Sequence, residues 1–112
     1  MTIRSERLQV YETGPTTVLG FGGQVIVDDI SVADCRDEIL EIVKAHDSKV
    51  VAFDLTGVRL IPSGLLGLMA SLRHLGLTIR VYNPSPEVRE VLSITMFDQL
   101  VEIREVDPSS SS

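Results

Sequence analysis

Tryptophan is absent, and aromatic residues make up only 4% of the chain's 112 residues. A surface that stacks bases or sugars needs a row of rings, so this composition speaks against such a platform. Cysteine occurs once, at Cys35. No internal disulfide can form, and a reducing compartment is expected. Positive charge is scarce: ten bases face sixteen acids, for a net charge of −6. Nucleic acid and anionic membrane are bound by a positive surface that displaces counterions, so neither is expected as a partner. No apolar run approaches the roughly 20 residues that span a bilayer. Met1 to Arg7 is polar, with charges of both signs and no apolar secretion core. The expectation is a cytoplasmic protein with no membrane insertion. His46 and His74 are the only histidines, and there is no C-x-x-C or H-x-x-x-H spacing. Neither a metal nor a cofactor is expected.

What is there suits one globular domain. Apolar residues make up 44% and charged residues 23%, ordinary globular values. A chain of this length buries roughly 65% of its unfolded surface, enough for a core without staples.

Leu8, Val10 and Glu12 alternate with Gln9 and Tyr11, the period of a half-exposed strand. Gly14-Pro15 is turn chemistry, and Thr16 to Phe21 reads as a second strand, so the chain opens with a hairpin. Gly20, Gly22 and Gly23 invite comparison with a dinucleotide loop. However, Val25 stands where the third glycine belongs, and a strand bulge or bend accounts for them better. Ser31 and Asp34 resemble a capping box ahead of the apolar stripe Val32, Cys35, Ile39, Leu40 and Val43. A helix is expected from Val32 to Ala45, with Cys35 in its packed face. Lys49 to Leu55 has a continuous apolar centre, which suits a strand covered on both faces. A second helix follows, apolar almost all round through Leu65, Leu66, Leu68, Met69, Leu72 and Leu75, with Ser71, Arg73 and His74 solvated and Gly76 closing it. Thr78 to Tyr82 is β-rich. In "NPSPEV", Ser85 is placed as N-cap, Pro86 at the first helical position and Glu87 in the first turn of a helix whose inner face is Val88, Val91 and Leu92. Leu100 to Val106 reads as the last strand, and residues 107–112 as a short, disordered Ser-rich tail after a domain spanning 1–106. Strands and helices alternate after the hairpin, so the fold class is α/β, a single domain with a mostly parallel central sheet and helices.

The stretch "RLIPSGLLG", Arg59 to Gly67, places one hydroxyl, Ser63, between a strand and the most apolar helix. A nucleophile there needs a base. His74 lies eleven residues along the same helix, a rise of about 16 Å. His46 ends a different helix, and "IPSGL" is not G-x-S-x-G. Asp54 ends a buried strand without a second acid beside it, which fits a turn or cap. An enzyme is not expected. Ser63 is either the N-cap or a residue of the first turn. In both cases its oxygen lies near unpaired N–H groups at the positive end of the helix dipole. It is either a plain helix-start hydroxyl or a modification site. Gly64 and Gly67 permit close backbone approach, by a partner or by a neighbouring strand.

The run "VAFDLTGVRLIPSGLLGLMASL", Val51 to Leu72, resembles the STAS domain of bacterial anti-sigma factor antagonists. Asp54, Leu55, Thr56, Gly57 and Val58 match that family's Asp-Leu-Ser-Gly-Val block. Ser63 then falls on the serine such antagonists have phosphorylated, and Leu66-Gly67 on the Leu-Gly that follows. "NPSPEVREVL" and "DQLVEI" look like the family's later helix and closing strand. Pro62 stands where the family usually has Asp, Gly64 where it has a second Ser, Leu65 where it has Gly, and Met96 where a glycine often ends the last helix. The resemblance implies a STAS-like fold and a non-enzymatic regulatory binding protein in partner switching. It would dock an anti-sigma factor serine kinase through Pro62, Ser63, Gly64 and Gly67, with phosphorylation at Ser63 as the switch. The alternative is a STAS interaction module that is never phosphorylated, an accessory subunit of a lipid transporter or of a signalling scaffold.

Overall fold

Five strands form one sheet in the order β1-β2-β3-β4-β5, each beside its neighbour in sequence. They are β1 (Gln9–Glu12), β2 (Thr16–Gly20), β3 (Val50–Asp54), β4 (Thr78–Tyr82) and β5 (Glu102–Arg104). The helices are α1 (Val32–His46), α2 (Ser63–His74) and α3 (Pro86–Ile94), with one 3-10 turn at Phe97–Gln99. The computed structural model describes residues 9–21, 32–61 and 63–105, the side chains of 32–34 apart. Gly22, Gly23, the Ser31 cap and the tail 107–112 lie outside the described residues. Only β1 with β2 is antiparallel, and the other three pairings are parallel. The α/β hairpin-first order expected from the sequence is the order found.

Each helix connects adjacent parallel strands, and every crossover steps the same way across the sheet. Right-handed crossovers of this kind stack all three helices on one face. The register shows which residues meet them. Thr17, Val51 and Ile79 form one row, and Leu19, Phe53, Val81 and Ile103 the next. These rows close on Ile39 of α1, on Leu65, Leu68, Met69 and Leu72 of α2, and on Val88 and Leu92 of α3. Cys35 is part of the same core, 5% exposed. Burying a large aliphatic side chain contributes roughly 1.5–3 kcal/mol, so this layer holds the domain together.

The opposite face is mixed, with Val18 and Ala52 buried and Arg80 and Glu102 charged. Val18, Ala52, Arg80 and Glu102 share a row there. Arg80 Nε donates to Glu102 Oε1 at 3.0 Å, and Arg104 Nη2 reaches the same oxygen at 3.2 Å. Tyr11 lies over Gly20 on this face: a Cβ at Gly20 would overlap the tyrosine ring. Glycine at this place in β2 makes room for the ring. The irregular register lies instead in β1, between Val10 and Glu12.

One buried polar contact fixes the hairpin to the rest. Thr17 Oγ1 and Ser48 Oγ are 2.8 Å apart, and Ser48 donates onward to the Gly14 carbonyl. Thr17 is fully buried and Ser48 nearly so. A buried hydroxyl needs such a partner, because leaving it unpaired costs about 1–3 kcal/mol.

Two helix ends follow the sequence closely. Ser85 Oγ accepts from Val88 N at 3.1 Å, with Pro86 opening α3. Gly76 takes φ +95° just past α2, where Leu77 N returns to Leu72 O. Four details differ from expectation. All four residues of β1 are exposed, so this strand does not bury the half that its alternation implied. Leu75 lies beyond the end of α2 and is 60% exposed, so that helix is not apolar all round. Val91 is 37% exposed rather than on the inner face of α3, whose buried residues are Val88 and Leu92. The last strand is Glu102–Arg104 among the described residues, because the backbone N–H groups of Leu100 and Val101 both turn back to Phe97 O to close the 3-10 turn of Phe97–Gln99.

Candidate functional site

The "DLTGV" block builds a turn. Asp54 Oδ1 accepts from Thr56 N at 3.0 Å and from Thr56 Oγ1 at 2.6 Å. Gly57 then adopts φ +82°, a conformation a β-carbon would strain, and Val58 N closes onto Leu55 O. Asn83, at the end of β4, donates from Nδ2 to Thr56 Oγ1 at 2.9 Å. Leu55 N donates to Tyr82 O beside it. The carboxylate of Asp54 is therefore engaged in directing the chain out of β3, in keeping with a turn role.

Beyond this turn the chain runs to α2, whose first residue is Ser63. Ser63 is exposed, and no acidic side chain occupies the first turn of its helix. Gly67, one turn on, is also exposed, and a Cβ there would meet nothing within 4 Å. Close packing inside the molecule therefore does not require glycine at 67. Gly64 is partly buried. Pro62 lies outside the described residues. Of the four residues named from the sequence, the structure sets Ser63, Gly64 and Gly67 on the first turns of one helix.

Two side chains that the sequence did not single out flank this edge. Arg59 Nη2 donates to Glu87 Oε2 at 2.6 Å, joining the segment before α2 to the first turn of α3. The hydrogen bond from Arg59 holds the Glu87 carboxyl below its ordinary range, and the same bond raises the Arg59 guanidinium. Asn83 is the other. A signal for Arg59 was present, since it is the only Lys or Arg between Lys49 and Arg73.

Neither histidine shares the edge with Ser63. His74 ends α2 and His46 ends α1, at the side where β3 begins. The five residues of β3 put roughly 16 Å between the two edges of the sheet. Among the described residues there is no group of three or more His, Cys, Asp or Glu placed to hold a metal, and no helix long and apolar enough to cross a membrane.

The edge thus offers an exposed hydroxyl on a rigid, well-buried helix, framed by a hydrogen-bonded turn and an ion pair. No curated protein matches the chain by sequence. Solved structures share its fold. The anti-sigma factor antagonist SpoIIAA in its unphosphorylated form superposes with a TM-score of 0.72 at 17% identity, over 93% of this chain and 91% of that one. An anti-sigma-factor antagonist (STAS) domain protein from Planctomyces limnophilus gives 0.72 at 18%, over 92% of each chain. The Bacillus cell fate determinant SpoIIAA in the phosphorylated form gives 0.64 at 20%, over 93% of this chain and 95% of that one. The STAS domain family matches residues 7–110, a span that takes in the Asp54 turn, Ser63 and all five strands, and the chain belongs to that family.

Proposed function

We propose that this protein is an anti-sigma factor antagonist-like regulatory binding protein rather than an enzyme. It docks an anti-sigma factor serine kinase in the cytoplasm and is switched at Ser63. In this reading residues 1–106 are the STAS domain and 107–112 a tail. The kinase transfers the γ-phosphoryl group of ATP to Ser63 Oγ, releasing ADP and the hydroxyl proton. The observation that carries the reading is the exposure of Ser63 as the first residue of α2, with open space above Gly67 one turn away. A phosphate adds about −1.5 to −2 charge. At a helix start that charge is tolerated, so the fold stays and the partner is repelled. Pro62, Ser63, Gly64 and Gly67 form the docking surface.

The test is to incubate the chain with its cognate kinase and ATP and to weigh it intact. One phosphate, lost in Ser63→Ala, and weaker kinase binding afterwards are the expected results. An unmodified chain would overturn the reading.

Pro62 and Gly64 favour a second reading, because they replace the Asp and the second Ser of the family pattern. A kinase would meet a different local surface there. The chain would then be a STAS interaction module that is never phosphorylated, serving a lipid transporter or a signalling scaffold. Tight binding to such a subunit by unmodified chain, unaffected by ATP, is its signature.

A further inference from the structure

We infer that Arg59 changes partners when Ser63 carries a phosphate: its guanidinium leaves the Glu87 carboxylate and binds the phosphoryl oxygens. The inference rests on the reading of Ser63 as a phosphorylation site. Four observations lead to it.

Arg59 is the only Lys or Arg between Lys49 and Arg73, and it lies four residues before Ser63. It is also already at the right edge. β3 and β4 pair in register, Asp54 with Tyr82, so the segments that lead to α2 and α3 leave the sheet at the same edge. Ser63 is in the first turn of one helix and Glu87 in the first turn of the other. The Arg59 side chain already extends along this edge to the first turn of α3, and Ser63 follows it by four residues, so a rotamer change turns the guanidinium toward the first turn of α2.

The present pair is easy to exchange. The Arg59 side chain is 64% exposed and that of Glu87 44%. Exposed pairs of this kind contribute little, because water screens them and long side chains lose freedom. The contact is a single Nη2–Oε2 bond. A phosphate dianion offers three oxygens and nearly twice the charge, and the planar guanidinium binds it in bidentate fashion.

Among the described residues, Asp54 is held by Thr56 and Arg89 pairs with Glu105 at 2.6 Å, whereas Arg59 and Glu87 share one exposed bond. After exchange the phosphate is partly neutralised, and Glu87 stands unpaired at the start of α3. The switched surface is thus altered on two helices. A Ser63→Asp mimic, shorter and with one charge, reproduces it poorly.

The test uses the full chain with phosphoserine encoded at position 63 during translation, so that no kinase is involved. Phosphorus NMR follows the second ionisation of the phosphate. Arg59→Gln is expected to raise its apparent pKa by about half a unit, a cation's effect reduced by exposure. Glu87→Gln is expected to lower it, and to do so less than half as much when Arg59 is already Gln. An identical pKa with and without Arg59 would overturn the exchange. So would an equal Glu87→Gln shift in both backgrounds, which would mean simple loss of a nearby charge. A chain that no kinase modifies would instead overturn the Ser63 reading and leave this titration standing.

Discussion

Asn83 and Thr56 are joined by a hydrogen bond of 2.9 Å between residues 27 apart in sequence. The bond ties the end of β4 to the turn that aims the chain at Ser63. Asn83 also takes φ +54°, a left-handed conformation that asparagine tolerates better than most residues. Asn83→Ala is therefore expected to lower stability by roughly 1–2 kcal/mol, from the lost bond and the backbone strain together. Asn83→Gly loses the same side-chain bond without the left-handed penalty, so it should cost less. Urea unfolding of both variants checks the order.

Gly67 separates folding from docking. Glycine inside a helix costs about 0.5–1 kcal/mol relative to alanine, and the open space above it accommodates a methyl group. Gly67→Ala should stabilise the domain by about that amount. Under the proposed function, a larger side chain such as Gln at 67 leaves the fold intact and weakens kinase binding by about tenfold, or 1.4 kcal/mol. Thermal unfolding and a binding isotherm on the same preparations give both numbers.

Met96 is held at φ +63° and is 57% exposed. A left-handed backbone costs an L-residue roughly 1–2 kcal/mol, and this side chain gains little from burial. Met96→Gly relieves the strain and adds some unfolded-state entropy. A net gain of up to about 1 kcal/mol is expected, read as a higher urea midpoint at unchanged slope.

The Arg59–Glu87 pair has a defined pH dependence. The folded-state pKa of Glu87 is depressed, first by its hydrogen bond from Arg59. Its contribution is therefore present above the ordinary glutamate range and is lost as the pH falls through the lowered value. Stability from this pair should be flat from about pH 7 to 5 and fall below about pH 4. In Arg59→Gln the Glu87 side chain should titrate nearer its ordinary value, and this part of the acid loss should vanish. Side-chain carbon NMR of Glu87 reads the titration directly.

The sequence by itself determined the order of elements and the placing of Ser63. The Gly14-Pro15 turn and the apolar centre of Val50–Asp54 mark strands, and Ser85-Pro86 and Gly76 mark helix ends. These are local effects of backbone sterics and of burying one face, so they are readable within a few residues. The tertiary structure alone decided what meets at the edge. Thr56 with Asn83, and Arg59 with Glu87, join residues 27 and 28 apart, and their meeting depends on which strands pair and in what register. Whether an apolar position is covered was likewise decided there: Leu75 and Val91 follow an apolar pattern yet face outward. A periodic pattern fixes a face of a helix, but only the packed neighbours determine how much of that face is hidden.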